Sequence, residues 1–403
     1  ALTDYVISYL KTDTGFSKLL YKYMLQEDTI SGQELCVVLY EQGVLSKEDE
    51  LYQSLASGQI DSYTFMYRKI ANLEITPAQL ALAPCSASAV ITDVETGDVL
   101  ACVSYPGYDN NRLTNNMDTD YYAKLSTDLS SPFFNKATQQ RTAPGSTLKI
   151  LSTVAGMSEG VIDDNTYIEC TGSFDLVTPP INCWNKQGHS ALEIRGAIEQ
   201  SCNVFFSTIG FELGKDSEGN FSEARSLGML QKYASLMGLD RKTGIEISEA
   251  SPQVSDKNAV PSYIGQGTNM FTTSQLARYI TAVANEGTVY NLSLLDKVTS
   301  PKGKTIKDYT PEVKNKVTDV SASTWQAVHE GMRAVVTSEH KDIFTKLNSS
   351  GIALSGKTGT AQQSQTHPDH GLFVGFAPSD SPQIAFAIRI ANGYSSTFAA
   401  EVG

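Results

Sequence analysis

The sequence predicts a mixed α/β protein of the α+β type, with a mainly antiparallel five-stranded sheet, flanking helices and an N-terminal helical segment. Three observations predict it. Two strand-like runs, 87–92 and 99–103, are joined by the turn Glu95-Thr96-Gly97-Asp98 and read as a hairpin. Three more, Ile352–Ala361, Leu372–Phe376 and Ile384–Ala391, read as a meander. A long, mostly helical insert separates the two groups, and one domain results if they join into a single sheet.

At 403 residues the chain exceeds what one core usually fills, so two or more units are expected. The division expected is an accessory helical segment, 1–84, and a domain, 85–403. In the first, Asp4–Leu10, Phe16–Gln26 and Gly32–Gln42 have helix-like apolar spacing. Ser46-Lys47-Glu48-Asp49 reads as a capped helix start with acids in the first turn. Nothing in this segment carries a chemical signal.

In the domain, Tyr105–Ser131 is rich in Asn and Asp and reads as a long loop. Pro144-Gly145 reads as a turn and Ser146–Met157 as the helix after it. Residues 158–190 look loop-like. Ala191–Leu213 reads as two helical pieces broken at Ser201-Cys202-Asn203, and Gln231–Leu239 as another helix. Thr272 and Gln275 stand at capping-box spacing before an apolar helix that ends at Gly287. No repeat or low-complexity segment interrupts the chain.

A net charge of -13 and a pI near 4.9 argue against a nucleic-acid partner. No apolar run approaches the roughly 20 residues that cross a bilayer, and no signal peptide opens the chain. Six cysteines are scattered without a Cys-x-x-Cys pair. Cys170, Cys183 and His189 could supply three zinc ligands, and Cys170 with Cys183 a disulfide. No fourth ligand is evident, so free or structural thiols are preferred, and neither metal nor cofactor is expected.

The candidate chemistry starts at Ser146 and Lys149. Three apart on a helix, they share one face. A serine hydroxyl becomes a nucleophile when a neighbour takes its proton, and a lysine can do so when burial or a nearby cation lowers its pKa. Free N–H groups at the helix start favour developing negative charge. Ser-x-x-Lys alone is weak evidence, since it recurs at Ser8/Lys11 and Ser338/Lys341. Two later motifs strengthen it. Ser201-x-Asn203 occurs once and needs a loop to turn both side chains into a cleft. Lys-Thr-Gly occurs twice, at Lys242 and Lys357. A substrate pairing with a strand edge needs the copy on a strand, and Lys357 opens the meander. Gly359 is expected to clear room beside the Lys357 side chain. Lys242 lies between a helix and a Ser/Pro-rich loop and is taken as the decoy.

In this order the three motifs match the serine acyl-transferase pattern. From about Pro84 to Gly403 the chain resembles the transpeptidase domain of class B penicillin-binding proteins. The resemblance also rests on 94–101 before Tyr105-Pro106, Gly188-His189, Lys242-Thr243-Gly244-Ile245, Gly265-Gln266-Gly267 and Phe373-Val374-Gly375-Phe376-Ala377-Pro378.

It implies a β-lactamase/transpeptidase-like fold and a D,D-transpeptidase that cross-links peptidoglycan stem peptides ending in D-Ala-D-Ala. Ser146 would be acylated by the donor strand or by a β-lactam, and Lys149 would be its base, kept neutral partly by the Lys357 charge. Ser201 would pass a proton to the leaving amine, and Asn203 would hold the substrate amide. Lys357 and Thr358, beside Gly359 and Thr360, would bind the terminal carboxylate. The N–H groups of Ser146 and Thr360 would form the oxyanion hole.

A glycosyltransferase and other cell-wall proteins would be partners. The site of action would be the outer face of the bacterial cytoplasmic membrane, through an anchor outside this chain. Thr273 stands where the family often has proline, and the family's last helix is expected to be only starting at Gly403. The alternatives are a D,D-carboxypeptidase, a β-lactamase and a non-enzymatic β-lactam sensor. A class A β-lactamase needs a Glu-x-x-Leu-Asn segment after Asn203, which Glu212-Leu213-Gly214 does not supply.

Overall fold

The computed structural model describes residues 2–27, 29–43, 45, 46, 48–72, 74, 75, 86–362 and 368–403. The chain forms two units, Ala1–Pro84 and Cys85–Gly403.

The described part of the first unit is built of helices: α1 (Leu2–Thr12), α2 (Thr14–Gln26), α3 (Gly32–Glu41), α4 (Glu50–Ala56) and α5 (Ser62–Ala71). A reciprocal capping box between Ser31 and Glu34 starts α3. Asp49 starts α4, its carboxylate accepting from Leu51 N–H at 2.8 Å, so the helix begins later than Ser46 suggested. Ser46 instead accepts from Glu48 N–H, and Lys47 lies outside the described residues. Cys36, Tyr40, Leu45, Leu55, Phe65 and Ile75 make a small apolar core.

In the second unit, β1 (Ser86–Asp93) and β2 (Val99–Tyr105) form the expected hairpin. Burial alternates along β1, as expected when one face is covered. The expected 105–131 loop contains a helix, α6 (Thr119–Thr127). Asp118 caps it through Tyr121 N–H, a local signal that the polar composition hid. Next come α7 (Lys149–Ser158) and four short strands, β3 (Ile168–Cys170), β4 (Ser173–Phe174), β5 (Ile181–Asn182) and β6 (Ser190–Leu192). The last of these takes Ala191 and Leu192 out of the helical piece expected there. α8 (Ile194–Glu199) and α9 (Asn203–Leu213) are indeed broken at 200–202, and α10 (Glu223–Leu236) starts earlier than expected.

After α11 (Ala259–Ser262), Thr272 and Gln275 form the capping box of α12 (Thr273–Ala284). Every residue of α12 is buried. Its Thr273 and Thr281 hydroxyls bond Ser88 and Thr92 of β1 at 2.7 and 2.6 Å. The expected Thr273 substitution is thus satisfied by a buried hydroxyl partner. Four short strands follow, β7 (Thr288–Tyr290), β8 (Lys297–Thr299), β9 (Thr305–Asp308) and β10 (Val313–Lys316), and then α13 (Ala322–Ala334) and α14 (Thr345–Ser349).

The meander is β11 (Ser355–Ala361), β12 (His370–Ala377) and β13 (Ile384–Ala391), and α15 (Ser396–Val402) closes the chain. The sheet runs β11-β12-β13-β1-β2, antiparallel throughout, so hairpin and meander join through β13 and β1. α12 covers one face of this sheet. On the other, Ala399 and Ala400 of α15 pack with Phe373, Phe386 and Ile388. No helix among the described residues is long and apolar enough to cross a membrane.

Candidate active site

The site is assembled where β11 meets the turn before α7. Residues Gly145–Leu148 form a 3-10 turn, not the first turn of an α-helix, and the α-helix begins at Lys149. Three backbone contacts hold this turn. Thr142 pairs with Phe271, each N–H donating to the other's carbonyl at 3.0 and 2.9 Å. Gly145 N–H donates to Gly265 O at 3.0 Å. Gly145 has a φ of +53°, and a Cβ there would lie 2.4 Å from Thr360 O. Only glycine fits so close an approach. Gly359 answers from the strand: a Cβ on it would meet Thr147 Cγ2 at 2.8 Å and Pro144 O at 3.0 Å. The space it clears is therefore for the Ser146 turn, not for the Lys357 side chain.

Lys149 is fully buried. Its Nζ donates to Ser201 O at 2.7 Å, Ser201 Oγ at 3.2 Å and Asn203 Oδ1 at 2.7 Å. The break between α8 and α9 makes this possible, because Ser201 takes a φ of +50°. A non-glycine residue held in that region stores strain that its surroundings must balance. Here the balance comes from the Lys149 bonds and from Asn203 Nδ2, which donates to Asn182 O at 2.9 Å.

Burial lowers the Lys149 pKa to about 8, against a smaller upward pull from Cys202 and Cys183. Lys357 is held well below the usual lysine range, by burial first and the Lys149 charge second. The repulsion is mutual, so a charge on either lysine disfavours the protonated form of the other, with burial the larger cause at Lys149. Lys357 Nζ donates to Thr358 O at 3.3 Å, and Thr358 Oγ1 lies 3.5 Å from His340 Nε2.

A cavity of about 380 Å³ opens over these groups, and Ser146, Ser201, Asn203, Thr358 and Thr360 all line it. Further lining residues, among them Trp184, Glu199, Gln200, Glu339 and His340, carried no signal in the sequence. Glu339 and His340 come from a π-turn at Val335–Glu339 and the residue after it. Glu199 and Gln200 come from the end of α8.

The other motif copies lie elsewhere. Ser8 and Lys11 are exposed on α1, and Ser338 and Lys341 are exposed as well. Lys242 is exposed too. Its neighbour Thr243 is buried and holds Glu249 through its N–H at 2.7 Å and its hydroxyl at 3.0 Å.

Residues 87–402 match the family described as penicillin binding protein transpeptidase domain. The chain belongs to that family. Among curated relatives it is 28% identical over 343 residues to the peptidoglycan D,D-transpeptidase MrdA of Escherichia coli K12, covering 77% of this chain and 52% of the relative. It thus spans about half the length of the curated relatives it matches. Among solved structures, Pseudomonas aeruginosa PBP2 in complex with WCK 5153 superposes with a TM-score of 0.67 at 27% identity, covering 80% of this chain and 73% of that one. Penicillin-binding protein A from M. tuberculosis, as a ceftriaxone acyl-enzyme complex, gives 0.69 at 23%, covering 79% and 73%.

One cluster in this transpeptidase domain supplies a fourth candidate donor that the sequence did not show. Cys202, inside the Ser201–Asn203 motif, joins Cys170, Cys183 and His189, and their four ligand atoms lie within 4.8 Å of one another. The sequence hid this fourth donor because Cys202 was absorbed into the Ser-x-Asn motif, 13 residues past His189. The Cys183 thiol is pushed down, chiefly by a hydrogen bond from Cys202 and then by the N–H groups of Asn203 and Asn185. All three cysteines are free thiols in this structure, and no Cys170–Cys183 disulfide is formed.

Proposed function

We propose that this domain is the catalytic part of a class B penicillin-binding protein, a D,D-transpeptidase that cross-links peptidoglycan stem peptides through a Ser146 acyl-enzyme. The observation that carries the reading is Lys149. It is a fully buried lysine with a lowered pKa, bonded to both members of the Ser201/Asn203 motif and three residues from a serine that lines an open cavity. A lysine kept only for charge would gain nothing from losing its hydration; one that must be neutral to take a proton gains its function.

The steps follow from these groups. Ser146 gives its proton to Lys149 while Oγ attacks the carbonyl carbon of the penultimate D-Ala. The N–H groups of Ser146 and Thr360 hold the oxyanion, a contribution worth roughly a few kcal/mol. The bond to the terminal D-Ala breaks, and Ser201 passes a proton to the departing amine. Asn203 holds the substrate amide. An amine of a neighbouring stem peptide then attacks the ester, and Ser146 Oγ leaves with a proton returned.

Lys357 and Thr358 bind the terminal carboxylate. That anion favours the protonated form of Lys357, so a bound donor strand would leave Lys149 as the neutral member of the repelling pair. A β-lactam enters by the same first step. Residues 1–84 are assigned as an accessory helical unit. A glycosyltransferase and other wall-synthesis proteins are the partners, at the outer face of the cytoplasmic membrane, where peptidoglycan is made.

Mass spectrometry of penicillin-treated protein tests the core of this reading. The adduct is expected on the Ser146 peptide, and Ser146→Ala should abolish labelling. An adduct at Ser8 or Ser338 would overturn it. Turnover of a stem peptide with an amine acceptor separates transfer from hydrolysis.

A further inference from the structure

We propose that His340 determines specificity for the anionic end of the substrate: its ring orients the Thr358 hydroxyl and, when charged, gives a bound carboxylate a positive partner on the cavity wall. The inference rests on the acyl-transfer reading above, which assigns that carboxylate to Lys357 and Thr358.

The charge of the wall calls for such a partner. Among the described residues that line the cavity, Glu199 and Glu339 are acidic, and His340 is the only one able to become positive. Lys357 does not line it. That lysine is wholly buried, and its Nζ donates to Thr358 O at 3.3 Å. It acts on a ligand from beneath the surface, through its field and through Thr358. Two carboxylates on the wall disfavour an anion, and a cation at the surface offsets them.

The ring stands where the carboxylate is expected. His340 Nε2 lies 3.5 Å from Thr358 Oγ1. That is long for a hydrogen bond, and contacts of this kind shorten when a substrate is gripped. A threonine hydroxyl has one hydrogen to donate and two lone pairs that accept. With its proton on Nε2, His340 donates to Oγ1, and the hydroxyl hydrogen is free to point at a carboxylate. With Nε2 bare, the ring would take that hydrogen, and the carboxylate would face a lone pair. A bound anion therefore selects the first tautomer, and a protonated ring, in which both nitrogens donate, fixes it.

The loop is braced without the ring. His340 N–H donates to Val335 O and Ile343 N–H to His340 O, both at 3.0 Å. Ser338 Oγ donates to Glu199 at 2.6 Å, and Gln200 Nε2 to Glu339 at 3.1 Å. These bonds tie the π-turn to the end of α8 and to the residue before Ser201. The imidazole is left for β11 and the cavity. Such π-turns recur at functional sites.

The groups around the ring set its response to pH. Burial pushes the His340 pKa down, the Glu339 carboxylate pulls it back, and the Lys357 charge adds to the lowering. Glu199 lines the same cavity from α8, while Trp184 and Ser396 of α15 bring no charge. Lys341 and Asp342, next along the chain, are exposed. A bound carboxylate favours the charged ring. Anion binding should therefore tighten as pH falls, opposite in sign to the proton transfer to Lys149.

The test follows acylation of the whole chain by a fluorescent penicillin at several concentrations, from about pH 5 to about pH 8, where a histidine changes charge. The half-saturation concentration reports binding, and the maximal rate reports the Lys149 step. In the wild type, half-saturation should fall at least about fivefold from the alkaline to the acid end. The methyl ester of the same penicillin lacks the carboxylate and should show no such change. His340→Gln keeps an N–H donor without charge, so it should match the wild type at about pH 8 and gain nothing at about pH 5. It retains Glu199 and Glu339, so a gain that came from their protonation would persist in it. His340→Ala should raise half-saturation at least about fivefold at about pH 8 and leave the maximal rate within about twofold. Carbon NMR of the histidine rings, with His340 identified by its loss in the glutamine variant, should show its pKa raised by N-acetyl-D-Ala-D-Ala.

An equal acid-side gain in the glutamine variant or with the ester overturns the proposal, as does an alanine variant that binds like the wild type. A loss confined to the maximal rate overturns it too, because the carboxylate would then be held without the ring. Should both variants fail to fold, the wild-type contrast between acid and ester still decides. If wild-type protein is not labelled at all, the acyl-transfer reading fails, while the response of the histidine rings to N-acetyl-D-Ala-D-Ala still judges His340.

Discussion

Lys357-Thr358-Gly359 and Lys242-Thr243-Gly244 are the same three residues in two surroundings. In the first, the lysine is buried, the threonine lines the cavity and the glycine admits the Ser146 turn. In the second, the lysine is exposed and its carbonyl accepts from Arg278 at 2.8 Å. There the threonine is buried around Glu249, and the glycine takes a φ of +91° against the Asn291 side chain. One copy sets its threonine on a cleft with the lysine buried behind it; the other uses its threonine to hold a loop together. The difference teaches that the triplet has no chemistry of its own. Strand context, a buried cationic partner and a facing turn supply it.

The sharpest way to break the comparison is to remove the partner that makes the Lys357 copy special. Lys149→Arg keeps a positive charge but cannot act as a base under ordinary conditions. Its acylation by a β-lactam is expected to fall at least ~100-fold, as far as in Lys149→Ala, which is about 2.7 kcal/mol or more of transition-state stabilisation. Circular dichroism should show the fold retained. Substantial labelling in the arginine variant alone would reduce Lys149 to an electrostatic role.

Next come the two lysines. Lys357→Ala should lower the acylation rate by roughly tenfold or more, about 1.4 kcal/mol. Lys242→Ala should leave it near that of the unmodified protein. The reverse ranking would mean that the wrong copy faces the substrate.

The pH profile then asks which lysine is neutral. Lys149 is lowered to about 8 by burial, and the working form of a base is the deprotonated one. Acylation should therefore rise with pH, and the neutral fraction goes from roughly a tenth at pH 7 to roughly nine tenths at pH 9. The linked stability has the same sign. Between about 8 and the unfolded value near 10.5 the unfolded chain binds the extra proton, so Lys149 makes the fold more stable as pH rises through that window. Below it both states are charged, and the burial penalty is felt in full. A rate that is flat from pH 7 to 9 would show that proton removal by Lys149 does not limit acylation.

Much of this contrast was legible in the sequence, and the misses have physical causes. The run after Ser355 has two strand partners downstream, which is why Lys357 could be placed on a sheet while Lys242 could not. The hairpin was readable because β1 alternates, whereas the meander strands are buried on both faces and read as near-continuous runs bounded by polar turns. Helix α6 was not read, because a cap at Asp118 and not an apolar stripe marks its start; α13 was missed although Trp325, Val328 and Met332 stand at helical spacing behind the Ser321 cap. The weight of burial in the Lys149 shift was not legible, since a sequence shows a second lysine but not how completely the first is buried. Cys202 was overlooked beside Cys170, Cys183 and His189 because they come from the end of β3 and two loop positions, a convergence that no spacing rule encodes.

The smallest expected effect separates the two threonines, and it runs in opposite directions at the two copies. Thr243 gives a buried carboxylate a hydroxyl donor and an amide donor, and Ser274 Oγ adds a third at 2.7 Å. Thr243→Val keeps the shape and the amide but removes the hydroxyl. A buried acceptor left short of a partner costs roughly 1–3 kcal/mol. Thermal unfolding should therefore move down by a few degrees, while acylation per folded molecule stays unchanged. Thr358→Val makes the same exchange where the hydroxyl faces the cavity and its near neighbour is His340 at 3.5 Å. No buried carboxylate depends on that hydroxyl, so its removal should leave the melting temperature within about a degree, yet slow acylation by any β-lactam whose carboxylate it contacts. Matched melting curves and labelling rates of the two variants decide the point: if both lose stability, or both lose rate, the two triplets are not divided between scaffold and site.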